Sequence, residues 1–158
     1  MILLPVHLYL IRHAHADDGA KDALRPLSKK GLKQIRAVGR WLRKAEIMEA
    51  DEFWHSPLVR ARDTAELLAE QVQSDATLIE VSGLKPTDDP HLIARRLGDL
   101  RRPVALVGHD PHLSALASLL VAGKAEPVRF RLRKCAVLRL ERSSGGWIVQ
   151  WQVSPDLL

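Results

Sequence analysis

Arg12 and His13 stand side by side at the end of an apolar run, Val6 to Ile11. The run reads as a short buried strand, and open α/β sheets place their ligands at the tips of such strands. An imidazole there can act as a nucleophile while the adjacent guanidinium grips an anion. The pair points to phosphoryl transfer through a phosphorylated histidine. Two further segments share the layout of a strand, a polar residue or two, and a loop or helix start. They are Ser56-Pro57-Leu58-Val59-Arg60 and Gly108-His109-Asp110-Pro111. In a parallel sheet all three would gather at the carboxyl edge. Helix N-termini offer free N–H groups and partial positive charge, which favour anions. Arg60 falls in the first turn of its helix, and helical side chains lean back toward the N-terminus. It can therefore reach the spot that Arg12 serves. A pocket with two guanidiniums and two imidazoles suits a phosphoryl group.

The elements that must position these residues alternate between strand-like and helix-like patterns. This predicts an α/β fold: a three-layer sandwich with a mostly parallel central sheet, helices on both faces and a C-terminal antiparallel hairpin. Ser28 reads as the N-cap of a helix with Leu32, Ile35, Val38, Leu42 and Ala45 on its buried face. Glu52 to His55 is a short strand. Ser56 then reads as the cap and Pro57 as the first residue of a second helix, with Leu58, Ala61, Ala65, Leu68 and Val72 inward. Thr77 to Val81 is a third strand. His91 to Leu100 is a short helix with Leu92, Leu97 and Leu100 apolar. Pro103 to Val107 is nearly all apolar, which predicts a central strand. Asp110-Pro111 opens a last helix to about Ala122. Residues 128–133 alternate, with Val128, Phe130 and Leu132 facing one way and Arg129, Arg131 and Arg133 the other. Ala136 to Leu140 and Trp147 to Val153 flank Ser143-Ser144-Gly145-Gly146, a hairpin signal.

The chain has 158 residues, 46% of them hydrophobic and 27% charged, which predicts a single domain, residues 1–158, with its own core. No apolar run reaches the ~18 residues of a membrane span. Met1-Ile2-Leu3-Leu4 lacks the length and basic start of a signal peptide and runs straight into the first strand. The single cysteine, Cys135, forms no internal disulfide and reads as a small core residue on a strand. Together these features predict a cytoplasmic protein. The net charge of +5 is mild and spread along the chain, and the four Trp are not interleaved with basic residues. A phosphate-bearing partner therefore ranks above nucleic acid.

Read together, Arg12-His13-Ala14, Ser56-Pro57-Leu58-Val59-Arg60-Ala61 with Thr64-Ala65, and Gly108-His109 resemble the motifs of the histidine phosphatase superfamily. Arg25-Pro26-Leu27-Ser28 and Trp151-Gln152-Val153-Ser154-Pro155 are similar to the SixA-type phosphohistidine phosphatases within it, so the resemblance runs from about residue 6 to residue 155. The resemblance implies that His13 attacks phosphorus and becomes phosphorylated, while Arg12, Arg60 and His109 hold the phosphoryl oxygens. Water then hydrolyses the intermediate, and no metal or other cofactor is required. The implied partner is a phosphorylated protein carrying phosphohistidine, or a small phosphorylated substrate. Many members of the superfamily also carry a carboxyl general acid. Around Gly83 to Pro90, where relatives carry it, only Asp88 and Asp89 are available.

Several residues carry two readings. Asp110 is a possible general acid or simply an N-cap ahead of Pro111. Arg25 contacts the substrate phosphate or pairs with Asp17, Asp18 or Asp22. His15 completes a His-x-His metal pair or sits at the pocket rim as a substrate contact; the barrels that use such a pair need about 250 residues, which disfavours the metal. His55 lines the site or ends a strand. The Arg129, Arg131, Arg133 stripe is a solvated edge or a dock for an acidic phosphoprotein. The whole pocket could also belong to a phosphatase of small metabolites or nucleotides, or to a binding module without catalysis.

Overall fold

The computed structural model describes residues 5–158, so the reading of Met1 to Leu4 lies outside the described residues. Six strands form one sheet in the order β3-β2-β4-β1-β5-β6. They are β1 (Val6–Arg12), β2 (Glu52–His55), β3 (Thr77–Glu80), β4 (Val104–Gly108), β5 (Val137–Ser143) and β6 (Gly146–Val153). The first four run parallel, while β5 lies antiparallel to β1 and β6 antiparallel to β5. The α/β expectation with its antiparallel C-terminal pair therefore holds. All five residues of β4 are buried, as a fully apolar central strand requires. Because β2, β4 and β1 are neighbours, the three polar segments that follow them leave the same edge side by side.

Helices α1 (Lys29–Ala45) and α2 (Val59–Gln71) cover one face of the sheet, α3 (Pro90–Gly98) and α4 (His112–Ala122) the other. On the first face Ile35, Val38, Leu42, Ala65 and Leu68 pack on Tyr9, Ile11, Phe53 and Val107. On the second, Ile93, Leu97, Leu113 and Leu116 pack on Leu8, Leu10, Leu106 and Leu138. Ser28 caps α1, its hydroxyl accepting from the Gly31 N–H at 3.0 Å. The buried stripe of α1 differs from the expected one. It runs through Gly31, Ile35, Val38, Gly39 and Leu42, leaving Leu32 and Ala45 exposed. Two close approaches rotate it: Gly31 lies against the His15 backbone and Gly39 against Gln71 of α2.

Other departures have local causes. The second helix starts at Val59 with Leu58 as its cap; Ser56 and Pro57 precede it. The Ser56 hydroxyl accepts from Leu58 N–H but belongs to the site described below. α3 begins at Pro90 because Asp89 accepts from the His91 N–H, and it buries Ile93 and Leu97 rather than Leu92. Residues 128–133 form no ladder. Their alternation survives only as burial, from a half-exposed Val128 to a fully buried Leu132, while Arg129 N–H donates to Ser118 Oγ at 2.7 Å. Cys135 is buried but lies in a turn, with φ of +62°. There its N–H donates to the Arg12 carbonyl at 3.0 Å.

Gly31 and Gly98 make a paired prediction. A Cβ at Gly31 collides with the His15 carbonyl, whereas one at Gly98 meets nothing within 4 Å. Gly31→Ala should lower stability by about 1–3 kcal/mol, as overpacking does. Gly98→Ala should be neutral or gain up to ~1 kcal/mol. Denaturant midpoints of the two variants check this, and equal midpoints would contradict the packing.

Candidate active site

Each reactive side chain is carried by the first residue or two beyond a strand tip, or by the helix start that follows. His13 leaves β1, and its backbone N–H donates to the Gly108 carbonyl at 3.0 Å, tying it to the tip of β4. Its ring Nδ1 donates to the Ala14 carbonyl at 2.7 Å. A carbonyl only accepts, so the neutral ring carries its proton on Nδ1 and its lone pair on Nε2. His109 follows β4. The two imidazoles lie 5.0 Å apart, centroid to centroid, and tilted by 50°. His109 Nε2 is 2.6 Å from the Ser56 hydroxyl, which comes from the tip of β2. Its Nδ1 is buried and has no hydrogen-bond partner among the described residues.

Both imidazoles are almost fully buried, at 6% and 1% exposure, beside fixed positive charge. Burial pushes His13 down from 6.5 to about 4 against the pull of its hydrogen bond to the Ala14 carbonyl, and the Arg60, Arg12 and Lys134 charges add to the downward shift. Burial likewise takes His109 to about 3, with His13 and Arg60 next in importance. Both rings are therefore neutral at physiological pH.

Arg60, only 5% exposed, enters from the first turn of α2. Its guanidinium donates to the Asp22 carbonyl at 2.9 Å and meets the Asp22 carboxylate at 3.3 Å. Thr64, one turn on, donates to the Arg60 carbonyl at 2.7 Å and accepts from Ala14 N–H at 3.0 Å. This hydroxyl ties α2 to the tip of β1. Arg12 donates to the Leu132 carbonyl at 2.9 Å and lies 3.7 Å from the Asp110 carboxylate. The structure thus groups His13, His109, Arg60 and Arg12.

The remaining candidates sit further out or are engaged. Asp110 Oδ1 accepts from the Ser114 N–H at 3.0 Å and from its hydroxyl at 2.8 Å. That is the contact a helix start asks for. Arg25 donates to the Asp17 carbonyl at 2.9 Å and to the Asp22 carboxylate at 3.3 Å, with Asp18 at 3.9 Å. It meets Arg60 only through Asp22. His15 Nδ1 lies 2.6 Å from the Ser28 hydroxyl, and the residue lines a cleft beside Arg12. Among the described residues no group of three or more His, Cys, Asp or Glu could hold a metal. His55 is buried, and its Nδ1 donates to the Ser56 carbonyl at 2.9 Å. Asp88 accepts from Lys85 N–H and Asp89 caps α3.

Sequence reasoning gave no role in the site's geometry to Ser56, Asp22, Thr64 or Lys134. Ser56 carried a helix-start signal that concealed its contact with His109. Thr64 falls within the motif that carries Arg60, but its link to the Ala14 N–H joins distant segments and has no local signal. Asp22 was expected only as a partner of Arg25, which it is; its second contact, with Arg60, had no signal because its loop has no periodicity.

Comparison with known proteins places this geometry in a family context. A family model of the histidine phosphatase superfamily (branch 1) matches residues 8–88. The phosphohistidine phosphatase SixA of Escherichia coli K12 is 28% identical over 155 residues, covering 95% of this chain and 94% of the relative. An uncharacterised protein of Mycobacterium tuberculosis is 33% identical over 148 residues, covering 87% of this chain and 89% of its own. A solved structure of the protein histidine phosphatase SixA complexed with tungstate superposes with a TM-score of 0.87 at 25% identity. It covers 96% of this chain and 99% of that one.

Neutral buried imidazoles link the site to stability. Unfolded, both rings take a proton near pH 6.5; folded, they resist it until about 4 and about 3. Their contribution is complete above pH 6.5 and is lost as the pH falls from there toward about 4 for His13 and about 3 for His109. An NMR titration should find His13 still neutral at pH 5.5. A midpoint near 6.5 would contradict the burial argument.

Proposed function

From the premise that the chain belongs to the histidine phosphatase superfamily and is a phosphatase enzyme, we propose that it dephosphorylates phosphohistidine in a protein through a covalent intermediate on its own His13. The observation that carries this reading is the His13–Ala14 hydrogen bond. It leaves Nε2 with a free electron pair on a ring that stays neutral down to about pH 4.

His13 Nε2 attacks phosphorus, and the P–N bond to the substrate imidazole breaks. The departing ring keeps the bond pair and takes a proton from solvent. Water next attacks the phosphorylated His13. The P–Nε2 bond breaks, its pair returns to the ring, and inorganic phosphate leaves. Arg12, Arg60 and His109 hold the three equatorial oxygens, where charge accumulates in each transition state. Arg25 supports this cage through Asp22, and His15 contacts the substrate beyond the phosphoryl group. Asp110 is the carboxyl candidate for a proton donor. An imidazole leaving group, with an ordinary pKa of about 6.5, makes little demand on it.

Support for a phosphohistidine substrate comes from the SixA relatives, which match this chain nearly end to end, and from the ease with which imidazole departs. A phosphatase of small metabolites shares the same first step and differs in its leaving group. A side-by-side turnover screen of a phosphohistidine protein, sugar phosphates and nucleotides separates the two, and faster turnover of the metabolites would overturn the proposal.

Two variants test the mechanism. His13→Ala should abolish turnover, and quenching the wild type in mid-reaction with an alkaline denaturant, which preserves the P–N bond, should trap phosphate on His13 and on no other residue of this chain. Arg60→Ala should cost about 10²–10³ in kcat, the usual effect of removing one oxyanion donor. Turnover without any trapped phosphate, or an active His13→Ala, would refute the covalent route.

A further inference from the structure

Beside the reactive pocket lies a cleft of about 390 Å³ that shares Arg12 with it. Its walls also carry His15, Lys30 from the first turn of α1, and Arg133 and Lys134 from the segment ahead of β5, with Asp156 at its border. Four permanent cations thus face a single carboxylate. That carboxylate is already engaged: it lies 3.8 Å from Arg133 and accepts from the Ser154 hydroxyl at 2.6 Å. Arg12 has Asp110 on its other side, at 3.7 Å. Neither Lys30 nor Lys134 has an ion-pair partner among the described residues.

Two further features accord with the lack of acidic partners for these cations. The first turn of α1 holds Lys29 and Lys30 and no acidic residue. A helix N-terminus is itself partly positive, so lysines there are an unfavourable choice for stability. At Lys134, burial and then the charges of Arg12, Arg25, Lys30 and Arg60 all disfavour the ammonium form. An external anion would relieve both.

We propose that this cleft is a second anion subsite, which reads a carboxylate side chain flanking the phosphorylated histidine of the protein substrate. The proposal rests on the phosphohistidine reading above and adds which phosphoproteins the site accepts. A carboxylate fits better than a second phosphoryl group. Phosphoryl recognition favours convergent guanidinium forks and backbone N–H groups. Here Arg12 is shared with the reactive pocket and Arg133 is held by Asp156. What is left is two ammonium groups on flexible stems, point charges suited to acidic side chains presented at variable distance. Of the Arg129, Arg131, Arg133 stripe, only Arg133 borders this cleft.

The test uses phosphohistidine peptides with a glutamate scanned through the flanking positions, each matched by a glutamine peptide. Free phosphohistidine serves as the unflanked probe. The wild type should prefer the best glutamate peptide on the order of fivefold in kcat/KM, mostly through KM, and the preference should fade with added salt. Lys30→Glu should erase or invert the preference while turning over free phosphohistidine at the wild-type rate, with an unchanged circular dichroism spectrum. Equal rates on glutamate and glutamine peptides at every position would overturn the proposal. So would a preference that survives Lys30→Glu. It is also overturned if Lys30→Glu weakens inhibition by a small bisphosphorylated compound and leaves peptide choice untouched. Turnover without preference defeats this inference alone; no turnover of any phosphohistidine probe defeats the proposed function as well.

Discussion

His13 and His109 lie with their rings 5.0 Å apart next to the Arg60 guanidinium, and burial together with that positive charge disfavours a charged imidazole there, outweighing the Ala14 carbonyl at His13 and the Asp22 carboxylate at His109. Neutrality of the two rings is the condition on which the site depends. Burial under the strand tips removes the water that would otherwise solvate an imidazolium. The groups bonded to the rings carry no charge, so they oppose neutrality far less than a carboxylate would. They are a carbonyl, from Ala14, and a hydroxyl, from Ser56. A carboxylate in either place would favour the charged ring and remove the nucleophilic pair. The proton on His13 Nδ1 is fixed by a backbone oxygen that cannot titrate, so the attacking nitrogen is selected by geometry.

Such an arrangement is unstable unless the frame enforces it. The order β2-β4-β1 sets three chain segments side by side, and hydrogen bonds across the tips lock them. His13 N–H meets the Gly108 carbonyl, Ala14 N–H meets Thr64, and Cys135 N–H meets Arg12. Cys135 adopts φ of +62° to make that contact, a conformation that costs roughly 1–3 kcal/mol in a residue other than glycine. The buried cores on both faces of the sheet hold it there. Arg60, in contrast, is held on its free side by Asp22, which is well exposed. An ion pair with one solvated partner is weak, so an incoming oxyanion can take over the guanidinium at small cost.

The strands and their tip residues were legible because a short apolar run closed by polar residues packs well as a strand covered on both faces. The polar residues that close such runs mark the carboxyl edge. Val6 to Ile11, Glu52 to His55 and Pro103 to Val107 all fall on strands within a residue. What failed was whatever a third element decides. Leu32 looked buried by period alone, but the stripe of α1 is turned by glycines that meet His15 and Gln71. Ser56 looked like a cap because Ser-Pro often is one, yet its hydroxyl is claimed by a histidine far along the chain. Residues 128–133 had the period of a strand, but β5, which starts at Val137, already occupies the free edge of β1. Asp22 was legible as a partner of Arg25, but its contact with Arg60 was not, since a contact between an aperiodic loop and a helix leaves no trace in local pattern.

The carboxylates narrow the chemistry that such a site can serve. A general acid must aim a proton at the departing atom. Asp88 accepts from Lys85 N–H, Asp89 from His91 N–H, and Asp110 from both donors of Ser114 while its other oxygen faces Arg12. Each therefore does a structural task that competes with proton delivery. An alkoxide leaving group would press hard against that competition, because it departs as a strong base. Imidazole departs as a weak one. A cage of fixed positive charge around a neutral nucleophile supplies what the phosphoryl oxygens need in either case, and an imidazole leaving group makes the smaller demand on a proton donor such as Asp110. The engagement of these three acids is thus in keeping with the proposed phosphoramidate substrate.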